Sequence, residues 1–239
     1  MKEQVVILDF GSQYTQVVAR RIRECKVFST ILPHNTPVAE IAALNPKGII
    51  LTGGPKSVYS RKAPLPDKEI FNLGVPMLGI CFGLQLMAKY LGGKVERGLK
   101  REYGKGALKV NDGKCALLGK LPNALQVWNS HGDKLTQLPE GFKTVAATEN
   151  SPFAAVENRK RRFFGLQFHP EVVHTPKGKT IISNFVHKVC SCKRKWTMRS
   201  YIDQAVEEIR AQVGDALEFF QEQLRCVLVE KVALEVFAE

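Results

Sequence analysis

Met77-Leu78-Gly79-Ile80-Cys81-Phe82-Gly83-Leu84-Gln85-Leu86-Met87-Ala88 sets a short apolar run against a cysteine and follows it with a helical pattern, Phe82 to Leu91. An uncharged run of four, bounded by Pro76 and Cys81, reads as a buried strand, and a strand that turns at once into a helix is the basic step of an α/β sheet. Upstream the same step recurs. Val5–Leu8 is apolar, Tyr14–Glu24 has helical spacing, Val27–Leu32 is extended, Val38–Leu44 is helical, and Gly48–Leu51 repeats the buried-strand signature. This alternation predicts a largely parallel sheet covered by helices on both faces. Glycines stand at the strand ends, at Gly11, Gly53-Gly54 and Gly83, and ligands of open α/β sheets collect there.

Downstream the rhythm changes. From Lys94 to Phe168 the sequence offers short extended runs broken by Gly, Asn and Pro: Gly106–Val110, Leu125–Trp128, Lys143–Thr148, Phe153–Val156 and Arg162–Phe168. That half is expected to be β-rich and partly antiparallel. Lys179–Val189 reads as a closing helix, so one domain is expected over 1–190, with a basic linker and helical extension over 191–239. In the extension, Ile202, Val206, Ile209 and Val213 form one apolar stripe, and Leu217, Phe220, Leu224 and Leu228 a second. Such faces need a partner surface, and docking or dimerisation through these helices is the expectation.

Composition excludes several classes. The chain has 239 residues, 44% hydrophobic and 24% charged, which suits a globular protein with a sizeable core. The longest uncharged apolar stretch, Gly74–Ala88, carries Pro76, glycines and Gln85 and falls short of the ~18 residues of a membrane span. The N-terminus lacks the apolar core of an export signal. Six cysteines in a chain of this length, without such a signal, do not make a disulfide scaffold, and a cytoplasmic location is expected. Cys190 and Cys192, with His187 nearby, lack a second pair that would complete a zinc site. The net charge is +12, yet residues 215–239 hold six acidic and two basic side chains, so the basic character belongs to the body. Clusters at Arg20–Arg23, Lys94–Lys105, Arg159–Arg162 and Lys193–Lys195 show no aromatics interleaved in a single-strand-binding manner and no helix-turn-helix or zinc-finger spacing. Nucleic acid is therefore a weak candidate partner; solvated surface or an acidic partner face explains them better.

Gly79-Ile80-Cys81-Phe82-Gly83 copies the nucleophile elbow with sulfur for oxygen. Flanking glycines allow a sharp turn close to the sheet, and the helix that follows aims free N–H groups and its positive dipole end at the sulfur, which favours the thiolate. Read alone, Cys81 could equally be a small buried hydrophobe. A nucleophile needs a base and a group to orient it, and Phe168-His169-Pro170-Glu171 supplies both, because residues two apart in extended chain project to one side. An oxyanion needs N–H donors: Phe82, directly after the nucleophile, and the Gly53-Gly54 segment are the candidates. Asn129-Ser130-His131-Gly132-Asp133 is a polar stop after an apolar strand and fits a pocket wall or a plain turn.

Together these residues resemble the class I, or triad-type, glutamine amidotransferases, whose pattern is G-x-C-x-G-x-Q, a glycine-rich oxyanion strand and a later H-P-E. Leu8–Tyr14, Trp128–Asp133 and Gly165–Val172 are similar to the GMP synthase branch of that family, over residues 4 to about 214. The resemblance implies a flavodoxin-like mixed, largely parallel sheet flanked by helices. It also implies hydrolysis of L-glutamine by Cys81, His169 and Glu171, an oxyanion hole from Gly54 and Phe82, and a glutamine pocket lined by Gln85, Gly132 and Asp133. The ammonia would aminate XMP to GMP on an ATP pyrophosphatase domain or subunit, where ATP and magnesium belong; no cofactor is expected in this chain. Members of that branch continue into a synthetase domain opened by S-G-G-x-D-S, and these 239 residues contain no such motif. Two arrangements are compatible with this: a free-standing subunit that recruits a separate synthetase, and a shortened or altered version of a two-domain enzyme. Two rival readings stand beside this one: a stand-alone γ-glutamyl hydrolase or peptidase that shares Cys81 and His169, and a catalytically silent docking remnant, which has no need of Cys81, His169 and Glu171 together.

Overall fold

The computed structural model describes residues 3–197 together with 199, 202, 206, 207, 209 and 210. The chain divides into two compact units, 1–195 and 196–239. In the second, the described positions 199, 202, 206, 207, 209 and 210 are helical, while the second apolar face and the dimerisation expectation fall outside the described residues.

The first unit is built on β1 (Gln4–Asp9), α1 (Thr15–Glu24), β2 (Phe28–Pro33), α2 (Val38–Ala43), β3 (Gly48–Leu51), β4 (Met77–Ile80), α3 (Phe82–Tyr90), β5 (Lys94–Val110), β6 (Ala124–Gln137), β7 (Lys143–Ala147), β8 (Ala155–Asn158), β9 (Phe163–Leu166) and α4 (Gly178–Asn184). One nine-stranded sheet runs in the order β2-β1-β3-β4-β9-β8-β7-β5-β6. The strands from β2 to β9 are parallel, and those from β9 to β6 pair antiparallel. The mixed sheet, parallel from β2 to β9, and the β-rich second half are as the sequence predicts.

Strand periodicity divides the core into two layers. Val5, Ile7, Ile50, Leu78, Ile80, Phe164 and Leu166 pack on one face with α1 and α4. Their neighbours Val6, Leu8, Ile49, Leu51, Met77 and Phe163 pack on the other with α2 and α3. Both faces of the parallel strands are thus covered, which explains why their sequences are continuous apolar runs. Each fully buried large side chain contributes roughly 1.5–3 kcal/mol relative to exposure.

Glycine brings α3 down onto this sheet. A Cβ on Gly83 would stand 2.2 Å from the Leu51 carbonyl oxygen, and one on Gly79 would stand 2.6 Å from the Leu84 nitrogen. No larger residue fits either contact, and together they seat the helix start directly over the ends of β3 and β4.

The structure revises the expected second half. Gly106–Val110 and Leu125–Trp128 are parts of two long strands, β5 and β6, of 17 and 14 residues. Asn129–Asp133 is no turn: β6 runs through it, with Asn129, Ser130 and His131 opposite Gly104, Tyr103 and Glu102. The ladder pairs Asn129, Ser130 and His131 with β5, and the Asp133 carbonyl accepts from Gln85, so polarity alone does not end the strand. Pairing is irregular between Arg97 and Glu102, where β5 departs from even register. The expected closing helix is α4 continued by a π-turn over Phe185–Val189.

Candidate active site

Cys81 caps α3 with φ +52° and ψ −105°, outside the usual regions for a residue with a Cβ. Its N–H donates to the Leu166 carbonyl at 2.7 Å, and the Gln85 N–H donates back to its own carbonyl at 3.1 Å. The residue is thereby held by strand on one side and helix on the other, the tight strand-to-helix turn that presents a nucleophile. Its side chain is nearly buried, with Sγ 3.7 Å from the Ser130 carbonyl and 3.9 Å from the Gln167 amide nitrogen.

His169 reaches the same place because β9 is the parallel neighbour of β4, with Leu166 opposite Ile80. Its loop is tied to β6: the His169 N–H donates to the Trp128 carbonyl at 2.9 Å, and the Thr175 hydroxyl donates to the His169 carbonyl at 2.7 Å. Nδ1 lies 2.8 Å from Glu171 Oε1, with both side chains buried. The Glu171 carbonyl in turn accepts from Arg21 Nε of α1 at 2.9 Å. Burial alone would push the His169 pKa down, but the Glu171 charge and a hydrogen bond with Cys81 outweigh it and hold the imidazole well above its ordinary value. A Cβ on Gly53 would sit 3.2 Å from His169 Cε1 and 3.9 Å from Cys81 Cβ, so the end of β3 forms the floor beneath both.

Two cavities meet at Cys81. One of about 340 Å³ is lined by Gly54, Phe82, Gln85, His131, Gly132 and Asp133, with Arg97 and Arg101 at its rim. The other, of about 380 Å³, is lined by Gly11–Tyr14 and His169. Gly54, Pro55, Cys81 and Ser130 belong to both. Every site residue expected from sequence is therefore brought to one place. Gln85 is buried and donates to the Asp133 carbonyl at 2.9 Å, so it is not the surface amide that helix position alone would allow. Gly132 and Asp133 line the first cavity as strand residues.

Sequence reasoning missed Tyr14, whose ring meets the His169 imidazole edge-on at 5.3 Å between centroids, and Gln167 beside the sulfur. Both stand within the family motifs, but no spacing marks which motif residue turns inward. Among the described residues, no three His, Cys, Asp or Glu side chains converge as metal ligands. Cys190 and Cys192 are buried in the core, where burial pushes both thiols up, Cys192 to about 11, and His187 is engaged with the Cys192 and Cys25 carbonyls.

Comparison with known proteins agrees with this geometry. Residues 6–189 match the family described as Glutamine amidotransferase class-I. The GMP synthases [glutamine-hydrolyzing] of Rippkaea orientalis and Staphylococcus carnosus are each 50% identical over 214 residues, 90% of this chain but only 39% and 41% of theirs. The chain thus spans about two fifths of the length of these relatives. Among solved structures, a proposed GMP synthase subunit from Thermoplasma acidophilum superposes with a TM-score of 0.70 at 28% identity, covering 80% of this chain and 95% of that one. A glutamine amidotransferase of Thermotoga maritima shares the fold, with a TM-score of 0.64 at 20% identity over 80% of this chain and all of that one. An elbow cysteine beside a buried histidine–glutamate pair, on a chain that matches one family profile over most of its length, identifies it as a member of the class I glutamine amidotransferases.

Proposed function

We propose that this chain hydrolyses L-glutamine to glutamate and ammonia and supplies the ammonia to an ATP pyrophosphatase that aminates XMP to GMP. The observation that carries the reading is Cys81 on its strained elbow, with the His169–Glu171 pair beside it and a cavity in front. The synthetase step is supported by the 50% identity to glutamine-hydrolysing GMP synthases.

In this reading the Cys81 thiolate attacks the side-chain amide carbon, and the electron pair of the C=O bond moves onto oxygen. The N–H groups of Gly54 and Phe82 hold that oxyanion. His169, kept as imidazolium by Glu171, gives its proton to the nitrogen as the C–N bond breaks and ammonia leaves. The neutral imidazole then takes a proton from water, whose oxygen attacks the thioester, and collapse releases glutamate and the thiolate. Gln85, Gly132 and Asp133 wall the glutamine. This chemistry calls for no cofactor in the chain, and ATP and magnesium belong to the synthetase. A cytoplasmic setting suits a thiol nucleophile, and Cys25, Cys81, Cys115, Cys190 and Cys192 are all free thiols.

The test is release of glutamate and ammonia from L-glutamine by the purified chain, with and without an ATP pyrophosphatase, ATP, magnesium and XMP. Release in the wild type and none in Cys81→Ala establishes the glutaminase, and stimulation by the synthetase establishes the pathway. A Cys81→Ala protein with wild-type turnover refutes the mechanism. Faster turnover of γ-glutamyl peptides than of glutamine selects the hydrolase reading instead.

A further inference from the structure

His131, in the wall of the first cavity, belongs to a second histidine–carboxylate pair that the reaction above does not use. His131 Nε2 lies 3.0 Å from Glu102 Oε2, with the two side chains 5% and 9% exposed. The other ring nitrogen, Nδ1, lies 3.1 Å from the Asp133 carbonyl. That carbonyl also accepts from Gln85 Nε2 at 2.9 Å. At the far end, the Thr148 hydroxyl stands 2.9 and 3.0 Å from the two Glu102 oxygens. A buried carboxylate costs free energy unless it is paired and hydrogen-bonded. Burial works to raise the Glu102 pKa, but the bonds from His131 and Thr148 win and hold it below the ordinary carboxylate value.

These contacts join β6 to β5 beside the stretch where regular pairing fails. Glu102 closes the irregular stretch of β5 that begins at Arg97, and it is the first residue to regain register, directly opposite His131. Its neighbour Arg101 lies along Gly132, with its Cγ, Cδ and Nε 3.8–3.9 Å from where a Gly132 Cβ would be. Arg101 and Asp133, opposite in charge, line the same cavity as Cys81. A free α-amino acid carries one charge of each sign at the end remote from its side-chain amide, so this wall suits that end of glutamine.

We propose that Glu102 and His131 form a positioning pair that fixes the wall carrying Asp133 and Arg101, and so sets affinity for the α-amino-acid end of glutamine without taking part in the chemistry at Cys81. The proposal rests on the glutaminase reading and adds to it the residues that tune its substrate.

The decisive variant is Glu102→Gln, which keeps the shape and removes the charge. Three quantities are measured beside thermal stability: KM and kcat for L-glutamine, the rate of Cys81 alkylation by iodoacetamide, and inactivation by 6-diazo-5-oxo-L-norleucine. The last reagent carries the α-amino-acid end and iodoacetamide does not. We expect KM to rise about tenfold, the loss of one charge-assisted hydrogen bond, with kcat within threefold. Inactivation by the diazoketone should slow in parallel, and alkylation by iodoacetamide should keep its wild-type rate. Thr148→Val, which removes only a hydroxyl, should shift KM the same way by less, and it serves as the test if Glu102→Gln fails to fold. An unchanged KM in both variants overturns the proposal, as does a slowed iodoacetamide reaction, which would place the pair at the nucleophile. Failure of the glutaminase reading itself looks different: the wild type would then turn over no glutamine.

Discussion

Cys81 offers a test of the elbow that separates backbone strain from chemistry. Its φ of +52° with ψ of −105° lies where only glycine is at ease, and holding a residue with a Cβ there costs about 1–3 kcal/mol. Cys81→Ala and Cys81→Gly both delete the same buried thiol, so the packing loss is nearly common to the two. Alanine keeps the strain and glycine releases it. Against this, glycine gains freedom in the unfolded chain, which lowers stability by about 0.4–1 kcal/mol. We therefore predict that the glycine variant is the more stable of two inactive proteins, by about 0.5–2 kcal/mol. Urea melts with matched m-values measure the difference directly, and heat melts should separate by about 2–4 °C per kcal/mol for a domain of this size. An alanine variant as stable as the glycine one, or more so, would refute the strained elbow.

Other predictions follow from neighbouring contacts. Glu171→Gln removes the charge that outweighs burial at His169, so the imidazole pKa falls. The alkaline limb of kcat/KM should then move to lower pH, and an unmoved limb would take Glu171 out of the pair. The same raised pKa gives the wild type a stability increment that is complete below the ordinary imidazole value of 6.5 and is lost as pH rises through the folded-state value. Urea midpoints against pH should show this loss in the wild type and not in Glu171→Gln. Gly53→Ala places a methyl 3.2 Å from His169 Cε1, so kcat/KM should drop about tenfold while the melting temperature changes little. Gly83→Ala drives a methyl to 2.2 Å from the Leu51 carbonyl, which only backbone movement can relieve, and should cost about 1–3 kcal/mol in urea melts.

The parallel half of the fold was legible because its inner strands are buried on both faces and carry unbroken apolar runs, as in Gly48–Leu51 and Met77–Ile80. The elbow was legible for a related reason: steric demands at Gly79 and Gly83 leave one residue type each. His169 and Glu171 could be paired from their spacing alone. The long strands were less visible. β5 and β6 carry Gly, Asn, Ser and Asp at positions that ladder pairing satisfies, and no local signal distinguishes such residues from a turn. Glu102 and Thr148 were missed for the same cause, since their partners are distant in sequence and only the antiparallel register brings them together. The placement of β9 between β4 and β8 is likewise a tertiary fact.

That placement has a temporal side. The strand that delivers His169 is the seam between the parallel and antiparallel halves, and it pairs with β4, a strand remote from it in sequence. Pairing of such remote segments is slow compared with local helix formation. Nucleophile and base therefore meet only once β9 has locked in register, and recovery of turnover during refolding becomes a clock for that single long-range event, lagging the signal from helix formation.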